Sequence, residues 1–229
     1  MNMRQGPRMS CEDRKEQILE AVRKVFSRKG LEGSTSKELA KEAGISEALL
    51  YQHFKSKEDL HRAMLSSCKN SWLRSGGDKI MGLEPSSSAL VTLVYSLVSR
   101  KLSTHSPEMD SLIRLLLRSM AGDGEFARIG IKEAAHSIVL KLEECIKAAI
   151  TAGDIEGKGG VPKTQAWLGE RVAATVMCDF LSTTPLVDYG VSREKLIDQT
   201  VLFVLRGIGL KEEAIQRHYH PKELALLAA

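Results

Sequence analysis

The sequence predicts an all-α protein: an N-terminal helix-turn-helix three-helix bundle followed by a larger helical domain. Three observations predict it. Apolar residues recur at three- and four-residue spacing through almost every segment. No stretch alternates apolar and polar residues between turn dipeptides, as a half-buried strand would. Ser, Thr, Pro and Gly fall where helices start and stop. With 229 residues, 43% of them hydrophobic and 27% charged, the chain has ordinary globular composition and the length for two units.

The first helix covers 14–29, with Ile18, Leu19, Val22, Val25 and Phe26 on one face. Ser10 and Asp13 cap it, and Gly30 closes it. In the second, Thr35 is the N-cap and Glu38 completes a capping box. Leu39 and Ala43 point inward, and Gly44 ends the helix. The third covers 46–53, capped by Ser46, with Ile45 ahead of it as a buried plug and Leu50 and Phe54 turned back into the bundle. The fourth starts after Ser56, with Asp59 at its third position, and runs through Leu60, Met64 and Cys68 to about 75. Two short helices around a glycine turn, clamped by an amphipathic one, make a helix-turn-helix bundle.

Gly76 and Gly77 mark the first break. Beyond Pro85 the helices lengthen to 86–104, 107–121, 125–152, 164–187 and 193–208, with a short last one near 211–218. Ser106-Pro107 starts one, Gly153 stops another, and Ser192 caps a third. The domains are 1–57, with its N-terminal arm, and 58–229, linked by the long helix at about 57–75.

The net charge of +4 is mild, but residues 1–62 hold 13 Lys/Arg against 10 Asp/Glu. Most of the excess therefore lies in the first quarter, which suits a phosphate-facing segment. Cys11, Cys68, Cys145 and Cys178 show no metal-ligand spacing and read as reduced thiols. The polar N-terminus lacks the apolar core of a signal peptide, and the apolar run at 90–98 is short of the ~20 residues of a membrane span. The expectation is a soluble, cytoplasmic protein with no cofactor and no metal. No phosphate loop, nucleophile elbow, HExxH or catalytic carboxylate pair appears, so it does not read as an enzyme.

The stretch 14–60, RKEQILEAVRKVFSRKGLEGSTSKELAKEAGISEALLYQHFKSKEDL, resembles the TetR-family DNA-binding domain. Ile18-Leu19, Phe26, Gly30, Thr35-Ser36, Leu39-Ala40, Ala43-Gly44-Ile45-Ser46, Leu50-Tyr51, His53-Phe54, Lys55-Ser56-Lys57 and Leu60 carry the likeness. It covers about a fifth of the chain and departs at Ala48 and Leu49, where the family often has Gly and Thr. By this resemblance the third helix reads the major groove. Glu47, Ala48 and Leu49 at its leading end, with Ser46 as cap and Lys37 on the helix before, would meet base edges. Tyr51, Gln52, His53 and Lys57 would meet phosphates, joined by Thr35 and Ser36. Arg4 and Arg8 would form a minor-groove arm.

The resemblance also implies a homodimer on an inverted-repeat operator, built by the last two long helices, and a small, largely apolar effector. Leu168, Val172, Thr175, Val176 and Leu186 form one stripe, and Leu196, Thr200, Phe203, Val204 and Ile208 the other. The interface set taken from these is Leu168, Val172, Val176, Leu196, Thr200, Phe203 and Val204. Met64, Cys68, Trp72, Leu116, Met120, Met177 and Phe180 are candidate effector contacts, with His105 or His136 as polar anchors. The expected activity is ligand-released repression. The alternative is a dimeric helical interaction protein that does not read DNA.

Overall fold

The computed structural model describes residues 10–29, 33–72, 77–103, 107–122, 124–156 and 160–228. Most of these residues are helical and none forms a strand; an isolated bridge pairs Ile155 with Leu210. The chain divides into two compact units, Met1–Ser67 with Ser106–Gly130, and Cys68–His105 with Ile131–Ala229.

In the first unit, α1 (Cys11–Lys29) opens on a reciprocal cap. The amide of Asp13 donates to Ser10 Oγ at 3.0 Å, and Ser10 Oγ donates to the Asp13 carboxylate at 2.7 Å. Its stripe from Ile18 to Phe26 is buried. α2 (Ser36–Glu42) packs on α1, α3 (Glu47–His53) packs on α2, and α4 (Lys57–Trp72) follows. Leu39, Leu50, Phe54, Leu60 and Met64 are buried. Gly44 makes the α2–α3 turn at φ 64°, a left-handed conformation that glycine adopts without steric cost. Ala43 and Ile45, expected to be buried, are only half-buried because they belong to this turn.

α7 (Pro107–Ala121) also packs on α1 and continues into α8 (Glu125–Gly130). Leu112, Ile113, Leu115 and Phe126 are buried there. The division between units thus falls inside α4 and enrols α7 and α8, whereas sequence reading places a single boundary after residue 57. Helical periodicity marks an apolar stripe on α7 without saying which helix covers it.

The second unit is built round α6 (Ser87–Ser103), whose residues from Ala89 to Val98 are all buried. A helix apolar on every side belongs at a centre. Thr92 satisfies its hydroxyl on the Ser88 carbonyl at 3.0 Å. Around α6 lie α5 (Asp78–Met81), α9 (His136–Thr151), α10 (Pro162–Cys178), α11 (Arg193–Ile208), α12 (Glu212–His218) and α13 (Pro221–Ala228). Asp154 pins the α9–α10 loop: its carboxylate accepts from Ser87 Oγ at 2.6 Å, and its carbonyl accepts from the Lys211 amide at 2.9 Å.

Three helix expectations change. The run 125–152 is α8, a π-helical turn at Ile131–Ala135, and α9. α10 stops at Cys178 instead of 187, because Pro185 forbids helix just ahead and the Leu186 amide turns back to the Asp179 carbonyl at 2.9 Å. α13 was not foreseen; Pro221 opens it and Leu224 anchors it in the core.

Candidate nucleic-acid interface

α3 is amphipathic over two turns. Ser46 caps it by accepting from the Leu49 amide at 3.1 Å. Ser46, Glu47, Ala48, Tyr51 and Gln52 are exposed, Leu49 and His53 half-buried, and Leu50 and Phe54 buried. The short or polar side chains therefore face outward at the leading end, while two large apolar ones hold the helix from behind. That division lets a helix present side chains to base edges without losing its own support.

Neighbouring groups fix its place. Thr35 and Glu38 form the capping box of α2, with the Glu38 amide donating to Thr35 Oγ1 at 3.3 Å and the Thr35 amide donating to the Glu38 carboxylate at 3.1 Å. Lys29 of α1 closes on Glu38 at 2.5 Å. That hydrogen bond, more than any other influence, holds the Glu38 carboxyl below the ordinary 4.5 of a glutamate. The hydroxyls of Ser36 and Tyr51 share a hydrogen bond at 2.5 Å, locking α2 to α3. Lys37 is exposed on α2.

Lys57 does more than the sequence suggested. Its ammonium donates to the backbone carbonyl of Ser34, tying the start of α4 to the residue ahead of the α2 cap. A signal for this was present: a cation at the first position of a helix faces the positive end of the dipole, so a nearby acceptor is expected. A shallow recess between Ser36, Leu39, Leu50, Tyr51, Phe54, Ser56, Lys57 and Leu60 runs behind α3. Arg4 and Arg8 lie outside the described residues.

The expected effector set is not gathered in one unit. Met64 is fully buried in the core of the first unit. Leu116 is half-buried there, and Met120 is 51% exposed, since it lies near the end of α7 beyond its buried turn. Met177 and Phe180 pack partly buried in the second unit. The side chains of Cys68 and Trp72 lie outside the described part, as does His105; His136 is exposed. Cys145 and Cys178 are free thiols pushed above the usual cysteine value, chiefly by burial, so neither is an activated nucleophile.

The expected dimer stripes separate into two groups. Leu196, Thr200 and Val204 are buried inside their own unit, while Phe203, one residue and about 100° from Val204 round the helix, is 66% exposed. On α10 the buried residues are Ala166, Gly169, Glu170 and Ala173. Small residues there let α10 approach α11 closely, and a Cβ at Gly169 would sit 3.0 Å from Val204. The bulkier side chains turn away: Leu168 is 60% exposed, and Val172 and Val176 are half-buried. Leu196, Thr200 and Val204 are therefore core residues, which only their neighbours α6 and α10 reveal.

A capped, outward-facing α3 held on a three-helix core defines a helix-turn-helix DNA-binding protein. Residues 18–64 match the family described as bacterial regulatory proteins, tetR family. The chain is 22% identical over 145 residues to the HTH-type transcriptional regulator SrpR of Pseudomonas putida, covering 63% of this chain and 65% of that protein. It thus spans just under two thirds of that relative's length. Among solved structures, FadR from Bacillus subtilis superposes with a TM-score of 0.64 at 17% identity, covering 84% of this chain and 98% of that one. AibR superposes with a TM-score of 0.60 at 20% identity, covering 83% and 97%. These structures share the fold. The family-model match over residues 18–64, the regulator relatives and the shared fold together support a TetR-family transcriptional regulator. Its relatives are regulators and not enzymes, and among the described residues no helix is long and apolar enough to cross a membrane.

Proposed function

We propose that the protein is a repressor that binds an inverted-repeat operator as a homodimer and leaves it when a small, largely apolar effector binds. The observation that carries the reading is α3 itself, with Ser46, Glu47, Ala48 and Tyr51 outward and Leu50 and Phe54 buried. Glu47, Ala48, Leu49 and Lys37 meet base edges; Thr35, Ser36, Tyr51, Gln52, His53 and Lys57 meet or organise phosphate contacts. One short helix reads only a few base pairs, so a second copy supplies the other half-site. The outward Leu168, Val172 and Phe203 are the apolar surface on which that copy pairs.

Two structures of the same fold support ligand response: AibR was solved with isovaleryl coenzyme A and operator DNA, and FadR with stearoyl-CoA. Release follows if the effector binds the DNA-incompetent conformer more tightly, by a few kcal/mol.

Selection of bound sequences from random double-stranded DNA by the full-length protein tests the reading. An enriched inverted repeat, with half-sites about one helical turn apart, is the expected result. A folded, ligand-stripped dimer that enriches nothing would instead be an interaction protein. Operator affinity that is the same with and without bound effector would remove the release mechanism.

A further inference from the structure

The buried stripe of α4 changes chemistry at its far end. Leu60 and Met64 are buried. The next position on that face, three residues on, is Ser67. It puts a hydroxyl where the stripe would continue apolar. It is also the last residue of α4 in the first unit, since the same helix enters the second unit at Cys68. The α1 residue that meets it is Arg23, half-buried at the edge of the stripe formed by Leu19, Val22 and Phe26. Arg23 Nη2 donates to Ser67 Oγ at 2.9 Å. Arg23 Nε is buried too and has no hydrogen-bond partner.

An apolar contact is non-directional and lets a helix turn or slide on its neighbour. A guanidinium–hydroxyl hydrogen bond needs a short distance and a near-linear approach, so it holds α4 in one rotation. The orphaned Nε is a cost carried by the same side chain, so the pair adds little to the stability of the unit. What the pair does supply is orientation. The recognition helix lies in the first unit, the pairing surface proposed above lies in the second, and α4 is a continuous helix that enters both.

We propose that Arg23 is a positioning residue: by holding Ser67 it sets the rotation of α4, and with it the separation of the two recognition helices that a dimer presents to DNA. It thereby governs which half-site spacing is accepted and leaves the bases read by α3 unchanged. This rests on the operator-binding dimer proposed above. Neither Arg23 nor Ser67 belongs to the set assigned to bases or phosphates.

Binding of the full-length protein to its selected inverted repeat, with the half-sites moved closer or further apart by about one and two base pairs, tests it. Wild type should prefer its own spacing by about tenfold or more. Arg23→Met removes both the bond and the orphaned donor, so it should melt no lower than wild type. It should nonetheless reduce the spacing preference to about threefold or less, with single-base preferences inside each half-site as in wild type. Ser67→Ala should flatten the spacing profile in the same way without removing a charge, and the double variant should do no more than either alone. Folded variants that keep the wild-type spacing preference would overturn the inference and leave the operator reading intact. A uniform loss at every spacing, with a lower melting temperature, would also overturn it, since that marks a residue that only supports folding. Wild type that selects no inverted repeat overturns the operator reading, and this inference with it.

Discussion

On the proposed reading, single residues in the first unit divide into those that read and those that hold. Ala48 is exposed and Leu49 half-buried at the leading end of α3. Substituting either should change which bases are preferred, by ~1–3 kcal/mol at one position. Tyr51→Ala and Lys57→Ala should weaken binding to every sequence alike, the lysine change also flattening the salt slope by about one unit. Competition binding against single-base operator variants at several salt concentrations separates the two classes; indistinguishable profiles would undo the sorting. Lys57 has a second part, because it also anchors Ser34. Glu38 is a pH-sensitive group of the same kind. Its folded value lies below the ordinary 4.5, so its contribution is present above that value and is lost as pH falls through the lowered one. The melting temperature of Glu38→Gln should therefore trail the wild type at neutral pH and converge with it in acid. A gap that persists at low pH would mean that the Lys29 contact is not what stabilises the ionised form.

At the scale of elements, caps and turns explain why the short helices form at all. α2 and α3 have seven residues each, too few to persist on propensity, and each depends on its cap and its buried side. Thr35→Ala should cost about 1 kcal/mol by removing one half of the capping box. The α10–α11 contact depends instead on the absence of a side chain. Gly169→Leu would drive a branched group into Val204 and Ile208, so it should destabilise by about 1–3 kcal/mol in chemical denaturation. Stability equal to wild type would show that α11 moves freely against α10. Local signals found most helix starts, because a cap and its amide lie within four residues of each other. They missed the early end of α10, where a proline seven residues on and a turn back to Asp179 decide the outcome.

For the whole molecule, the exposed apolar side chains of α10 and α11 separate assembly from folding. Phe203→Glu places a charge on the outward face and should yield a folded monomer with weakened operator binding. Val204→Glu, one residue on, buries the same charge and should prevent folding. Sedimentation and circular dichroism of the two variants distinguish them; a Phe203→Glu protein that remains dimeric would place the interface elsewhere.

The all-helical class, the helix-turn-helix and the inward placement of Leu50 and Phe54 were legible in the sequence, because each follows from relations within a few residues. Three matters were decided only in three dimensions: which side of α11 is core, that α7 joins the first unit, and that Lys101 and Glu170 meet across 69 positions of chain. The physical reason is the same for all three. Periodicity shows that a helix has an apolar stripe, about 100° or more wide, but the partner that buries it is chosen by packing between segments far apart in the chain.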